Sequence, residues 1–190
     1  NWIRPLFSNK SIDNKGGKLF SRPPLAIKLC QKKCFTIVNV HLRSMRGLRS
    51  SRHSKNVMLK RRLQAETLAR WINNFQRQQP QQRLLVIGDF NALLPSDPYV
   101  DSIGTLLGKP DQIRPLWKSP DLIERDLVNA TLRVRPELRY SYIYKGKKQL
   151  LDYLLVSHNL KNNIKSLSFS PIDYPFSDHA ALKARLELID

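Results

Sequence analysis

Leu84-Leu85-Val86-Ile87-Gly88-Asp89-Phe90-Asn91 is the stretch whose reading decides the fold. Its first four residues are apolar and end in two β-branched side chains. The run is too short for a helix and suits a strand buried in the middle of a sheet. Gly88 ends it. Asp89 and Asn91 follow, two residues apart, so both side chains leave the chain on the same side. Polar groups at the end of a buried strand are what a sheet delivers to a cleft. Taken alone, Gly-Asp-Phe-Asn is equally a turn, because Asp and Asn favour turns.

Upstream, Leu25-Ala26-Ile27-Lys28-Leu29 and Phe35-Thr36-Ile37-Val38-Asn39-Val40 read as a hairpin whose second strand ends at His41. Residues 8–24, with Gly16-Gly17 and Pro23-Pro24, read as a loop leading into it. Leu59, Leu63, Leu68, Ala69, Ile72 and Phe75 recur at helical spacing, which predicts a helix from near Ser54 to about Gln79, closed by Pro80. Downstream, Asp97-Pro98 is expected to open a short helix through Leu107, and residues 108–139 show no clear period. Tyr140 to Tyr144, Leu151 to Val156, Ile164 to Ser170 and Ala180 to Leu188 read as further strands, with Lys145-Gly146-Lys147-Lys148 at a tip between the first two. Strands joined both by hairpins and by a long helix predict a mixed α/β layered fold.

The 190 residues fit one domain. No apolar run approaches the roughly 20 residues of a transmembrane helix, which sets aside a membrane-spanning role for the segment. The opening residues, Asn1-Trp2-Ile3-Arg4-Pro5, carry neither an initiator Met nor a signal-peptide core and read like the middle of a longer protein. Cys-x₃-Cys without a second ligand pair at a suitable spacing is poor evidence for zinc. Cys30 and Cys34 flank the hairpin tip Gln31-Lys32-Lys33 and are either two thiols or a bridge. A bridge favours a secreted or periplasmic setting over a cytoplasmic one.

The formal net charge is +18, from 33 Lys/Arg and 15 Asp/Glu. Residues 1–62 hold 16 Lys/Arg against one acid, Asp13, a net of +15. A surface this basic repels itself unless a polyanion neutralises it. Nucleic acid is the first candidate, since binding it releases counterions, and an anionic membrane is the second. Arg43, Arg46, Arg49 and Arg52 follow His41 directly in a serine-rich stretch containing Gly47, and Lys55, Lys60, Arg61 and Arg62 continue the run without an acid. They are the expected substrate-binding cations.

Four segments carry candidate chemistry: Asn39-Val40-His41-Leu42, Gly88-Asp89-Phe90-Asn91, Leu151-Asp152-Tyr153 and Ser177-Asp178-His179. Each is weak alone. In this order, with Tyr140-Ser141-Tyr142 before Leu151-Asp152-Tyr153-Leu154-Leu155-Val156-Ser157, they resemble the endonuclease/exonuclease/phosphatase superfamily, which includes deoxyribonuclease I, exonuclease III, neutral sphingomyelinases and inositol-polyphosphate phosphatases. The likeness spans about residues 25–190 and is nearest to bacterial extracellular nucleases, which also carry a His-Leu, a basic loop and a helix rich in Arg, Gln and Ala like Arg61 to Trp71.

The resemblance implies a deoxyribonuclease I-like layered α/β sandwich with mixed, mostly antiparallel sheets, and Mg²⁺-dependent phosphodiester hydrolysis, with Mn²⁺ or Ca²⁺ as substitutes. It casts His179 as the group at the scissile phosphate, held in its tautomer by Asp152, which is the His–Asp part of triad logic with water as nucleophile. It casts Asp178 as a metal ligand, since a hard carboxylate suits Mg²⁺. Asp89 would orient the water or bind a second metal, together with Asn91, which would donate to a phosphate oxygen. His41 resembles the second histidine of the deoxyribonuclease-like branch; the exonuclease III branch has a tyrosine there, so His41 argues against the abasic-site repair subgroup. Nucleic acid is the expected substrate, and no protein partner is implied.

One departure matters. The family takes its main metal-binding glutamate from an early strand, and residues 1–62 contain no Glu; Asp13 sits in a Gly/Lys-rich loop. The 190 residues therefore read as a single partial domain lacking its N-terminal part, with a sheet face or edge left unpaired and weak or no activity alone. Two other functions use the same residues: a phosphatase or phosphodiesterase for lipid or small-molecule phosphates, and a non-catalytic relative that binds nucleic acid.

Overall fold

The apolar run at 84–87 lies near the centre of a six-stranded sheet in the computed structural model, which describes all residues except 11–16, 31–32, 49, 51, 95–96 and 188–190. In chain order the strands are β1 (Trp2–Pro5), β2 (Leu25–Cys30), β3 (Cys34–His41), β4 (Arg83–Asp89), β5 (Val128–Asn129), β6 (Tyr142–Tyr144), β7 (Lys147–Gln149), β8 (Asp152–Val156), β9 (Ile164–Phe169) and β10 (Leu182–Leu186). The helices are α1 (Ser54–Gln78) and α2 (Ser102–Leu107). The large sheet runs β1-β2-β3-β4-β8-β5; β9 and β10 pair separately, as do β6 and β7. Among the described residues every strand pairing is antiparallel except β3–β4. α1 provides the crossover that a parallel pair requires.

Alternation along the strands splits the sheet between two layers. Ala26, Val38, Val40, Leu84, Val86 and Leu155 face α1 and α2 and are at most 3% exposed. Leu85, Leu154 and Val156 face the other way and pack with Leu160 and Ile164 under the β9–β10 pair. The fold is thus the layered, mostly antiparallel α/β architecture that the sequence implied. The second face is only partly covered. Phe35, Ile37 and Ile87 are half-buried, and farther out Ile3 and Leu29 are 64% and 39% exposed.

Several boundaries differ from the sequence reading. Trp2–Pro5 adds an edge strand that apolar periodicity did not show, because an edge needs only main-chain partners on β2. α2 starts at Ser102 rather than at Asp97-Pro98, capped by the Asp101 carboxylate on the Gly104 N–H. Leu59 and Leu63 are half-buried flanks of α1. Its buried stripe instead runs through Met58, Arg61, Ala65, Leu68, Ile72 and Phe75. The last strand is Leu182–Leu186, and Leu188 lies outside the described residues. Cys30 and Cys34 face each other at the end of the β2–β3 ladder and are joined as a disulfide, one of the two states left open above. Asp13 and Gly16 lie outside the described residues.

Candidate active site

Strand register brings the dispersed polar residues together. His41 is opposite Asp89 across the parallel β3–β4 pair, and Asp89 is opposite Asp152 across the antiparallel β4–β8 pair. The approach of β3 to β4 depends on Gly88. Its φ is +120°, and a Cβ there would fall on the Val40 carbonyl oxygen and 2.7 Å from Asn39 Oδ1. Only glycine satisfies both constraints.

Asn91 adopts a left-handed φ of 49°, which Asn tolerates better than most residues. That turn lets Asp89 Oδ1 accept from the Asn91 N–H at 2.8 Å and Oδ2 accept from Asn91 Nδ2 at 2.6 Å. Asn91 Nδ2 also donates to the Leu42 carbonyl at 3.1 Å. Both amide hydrogens of Asn91 are therefore engaged within the protein, aiming Asp89 and fixing the chain after His41.

Asp152 is set by Ser141, whose buried Oγ accepts from the N–H groups of both Leu151 and Asp152 at 3.0 Å. His179 arrives from the far end of the chain through a bridge between Tyr142 and His179 and the bond from Ala180 N–H to Ser141 O. Its ring lies 5.0 Å from the Tyr142 ring, and its Nδ1 lies 2.6 Å from Asp152 Oδ2. A neutral imidazole that donates Nδ1–H to this carboxylate keeps its Nε2 lone pair free for a proton. Behind Asp152, the Tyr153 hydroxyl reaches the carbonyls of Ala92 and Leu150, and its ring meets Phe90 edge-on at 5.5 Å.

Asp89, Asp152 and His179 each offer a ligand atom within 4.8 Å of the others. Burial, and then the charge of Asp152, push the Asp89 carboxyl up to about 6. Two carboxylates held this close disfavour joint ionisation, and a cation between them would relieve the repulsion. The oxygen donors suit a hard divalent ion, although two protein carboxylates leave most of its shell to water or substrate. Asp178 precedes His179 but is exposed and outside this cluster.

His41 Nε2 stands 3.7 Å from Asp89 Oδ2, and Arg22 Nη1 lies 2.8 Å from His41 Nδ1. Burial and then the Arg22 charge lower the His41 pKa, which favours the neutral ring, able to donate through one nitrogen. Arg22, in the stretch read as a loop, gave no sequence signal of this contact.

The basic run divides. Arg43, Arg46, His53 and Lys60 line a cleft of about 550 Å³. Arg43 is half-buried, bonded to Ser44 Oγ and the Arg46 carbonyl, while Arg46 and Arg52 are exposed. Arg43, Arg46, Arg52 and Lys60 have no carboxylate partner among the described residues, and Arg49 lies outside them. Arg61 differs entirely. It is 2% exposed, pairs with Asp97 at 2.6 Å, and donates to the carbonyls of Arg43 at 2.9 Å and Asn91 at 2.7 Å. The signal was present: position 61 falls on the helical period of Met58, Ala65 and Leu68.

No family model and no curated protein matches the chain. Solved structures do. A 3'-5' exonuclease, NExo, from Neisseria meningitidis is 16% identical with a TM-score of 0.60, covering 97% of this chain and 70% of that one. A structure of the Neisseria 3' phosphatase NExo bound to a product DNA hairpin gives 16% and 0.58 over the same shares. Truncated Caenorhabditis elegans TDP2 gives 14% and 0.60, covering 96% of this chain and 63% of that one. The likeness is one of fold.

Proposed function

We propose that the protein hydrolyses phosphodiesters of nucleic acid, with water as nucleophile and a divalent metal as cofactor. The observation that carries this reading is the Asp152–His179 pair facing the half-buried carboxylate of Asp89, with a cationic cleft, without carboxylate partners among the described residues, beginning two residues after His41. The fold shared with NExo, which is named a 3'-5' exonuclease in one structure and a 3' phosphatase bound to product DNA in another, supports it.

His179 takes a proton from water at Nε2, and Asp152 stabilises the imidazolium that forms. Asn91 holds Asp89 in place instead of contacting phosphate itself. Neutral His41, held by Arg22, donates a hydrogen bond to a phosphate oxygen or to the leaving oxygen. Arg43, Arg46, Arg52 and Lys60 hold flanking phosphates. Such contacts position a strand without reading bases, so little sequence preference is expected. Asp89 and Asp152 would hold Mg²⁺, or Mn²⁺ or Ca²⁺ in its place, with Asp178 as a further carboxylate; bound there, the ion would neutralise phosphate charge and acidify water. Without a glutamate in residues 1–62, and with part of the sheet uncovered, these residues alone are expected to turn over slowly and the parent protein faster. The Cys30–Cys34 bridge supports a secreted or periplasmic setting.

The test is a panel of plasmid DNA, RNA, sphingomyelin and inositol phosphates at graded Mg²⁺. Slow metal-dependent loss of DNA or RNA, reduced roughly 100-fold or more in His179→Ala, is the expected result. Turnover of lipid or inositol phosphates in its place selects a phosphatase. Salt-sensitive DNA binding with no turnover, even with upstream residues restored, selects the non-catalytic reading.

A further inference from the structure

Tyr144, Tyr174 and Phe176 are 50%, 66% and 89% exposed, and they are the large aromatic side chains among the described residues that stand out most into solvent. All three lie on the two segments that meet at the Tyr142–His179 contact. Tyr142 and Tyr144 alternate onto one face of the β6–β7 hairpin. The hairpin is closed by Lys145 and Gly146 at φ 49° and 75°, the tight two-residue turn that matches strand twist and holds both tyrosines in a fixed relation. Tyr174 and Phe176 ride on the loop before His179, whose turn is tied by the N–H groups of Phe176 and Ser177 to the Asp173 carbonyl.

Cations accompany the rings of the hairpin. Lys145 Nζ lies 5.7 Å from the Tyr144 ring, Lys147 is cross-strand from Tyr144, and Lys148 Nζ lies 4.3 Å over Tyr140. From Tyr140 to Leu151 the chain has no acid. Exposed aromatic faces beside lysines match a ligand with flat rings on an anionic backbone.

We propose that the β6–β7 hairpin and the 173–177 loop form a stacking platform for unpaired nucleobases of a single-stranded or frayed strand whose phosphate lies at His179. This rests on the nucleic-acid reading above and adds the substrate class. A duplex buries its base faces in the stack, so only unpaired nucleotides reach such rings. An unpaired strand is therefore favoured over a duplex of equal charge. The main competing occupant is a membrane interface, where Tyr and Phe flanked by lysines also settle.

The experiment is binding by the 190-residue chain in EDTA, where no hydrolysis intervenes. The probes are a labelled single strand, the same strand in blunt duplex, an abasic strand of equal length, and vesicles of phosphatidylcholine with phosphatidylserine. The single strand is expected to bind roughly five- to a hundredfold tighter than the abasic strand, since each stacked base contributes about that factor. Phe176→Ala and Tyr144→Ala are expected to erase most of that difference, and Tyr144→Trp to restore or exceed it. Equal affinity for base-bearing and abasic strands overturns the proposal. So does binding to vesicles that is lost in Phe176→Ala while the strand preference persists. Preference for bases with no turnover in the hydrolysis panel would leave the platform standing and remove the enzymatic reading; turnover without base preference would do the reverse.

Discussion

Replacing Arg61 by Met tests whether this cation is structural or part of the substrate-binding run. The guanidinium is buried and makes three bonds: to Asp97, to Arg43 O and to Asn91 O. Met keeps much of the aliphatic volume and removes all three. Asp97, 3% exposed, keeps the N–H groups of Tyr99 and Val100 on Oδ1 but, among the described residues, has no charge partner left. Stranding one member of a buried ion pair costs about 3–5 kcal/mol. With a urea slope of about 2 kcal/mol/M for a domain of this size, the midpoint should fall by about 1.5–2.5 M. Arg61→Met combined with Asp97→Leu removes the stranded charge, so the pair should recover about half of the loss or more. Tryptophan fluorescence and far-UV circular dichroism during urea unfolding read both quantities. Because Arg43 O and Asn91 O flank the site, Arg61→Met should also slow hydrolysis while leaving the salt slope of DNA binding unchanged. A loss under about 1 kcal/mol, simple additivity in the double variant, or a slope lowered by one phosphate contact would each refute the reasoning.

Arg46→Ala, at the exposed cleft, should lower the slope of log K against log salt by about 1, measured by fluorescence anisotropy at several salt concentrations. Asp89 gives a pH signature. A carboxyl whose folded pKa stands near 6, against an ordinary 3.8, binds its proton more tightly when folded, so its contribution to stability is present below about pH 4 and lost as pH rises through about 6. Metal-free chain should therefore lose on the order of 1–3 kcal/mol across that window, Asp89→Asn should remove the loss, and hydrolysis should rise over the same range as Asp89 ionises. Thermal unfolding and initial rates at pH 4–8 check this. Gly88→Ala combines a left-handed backbone with a clash on the Val40 carbonyl; a loss of about 3 kcal/mol or more, read as a lowered unfolding midpoint, is expected even though a single methyl is added.

Local chemistry in the chain was enough to determine the central strand, the long helix and the candidate residues. An apolar run ended by Gly88, an apolar stripe at helical spacing that includes Leu68, Ala69, Ile72 and Phe75, and polar residues after each strand are short-range patterns that survive any tertiary arrangement. Charge alone also made a polyanion the expected partner. What only the tertiary structure decided is which like residues play unlike parts. Arg43, Arg46 and Arg61 belong to one basic run, yet two line a cleft and one is entombed with Asp97. Asp97 looked like a helix cap and is the partner of that buried cation. Arg22 meets His41 across 19 residues, and Asn91 turns its amide inward. Trp2–Pro5 becomes a strand only because β2 offers it an edge. The physical reason is common to all of these. Periodicity is fixed by backbone geometry within a few residues, whereas the role of a charge or a polar edge is fixed by burial and by partners that strand register brings from far along the chain.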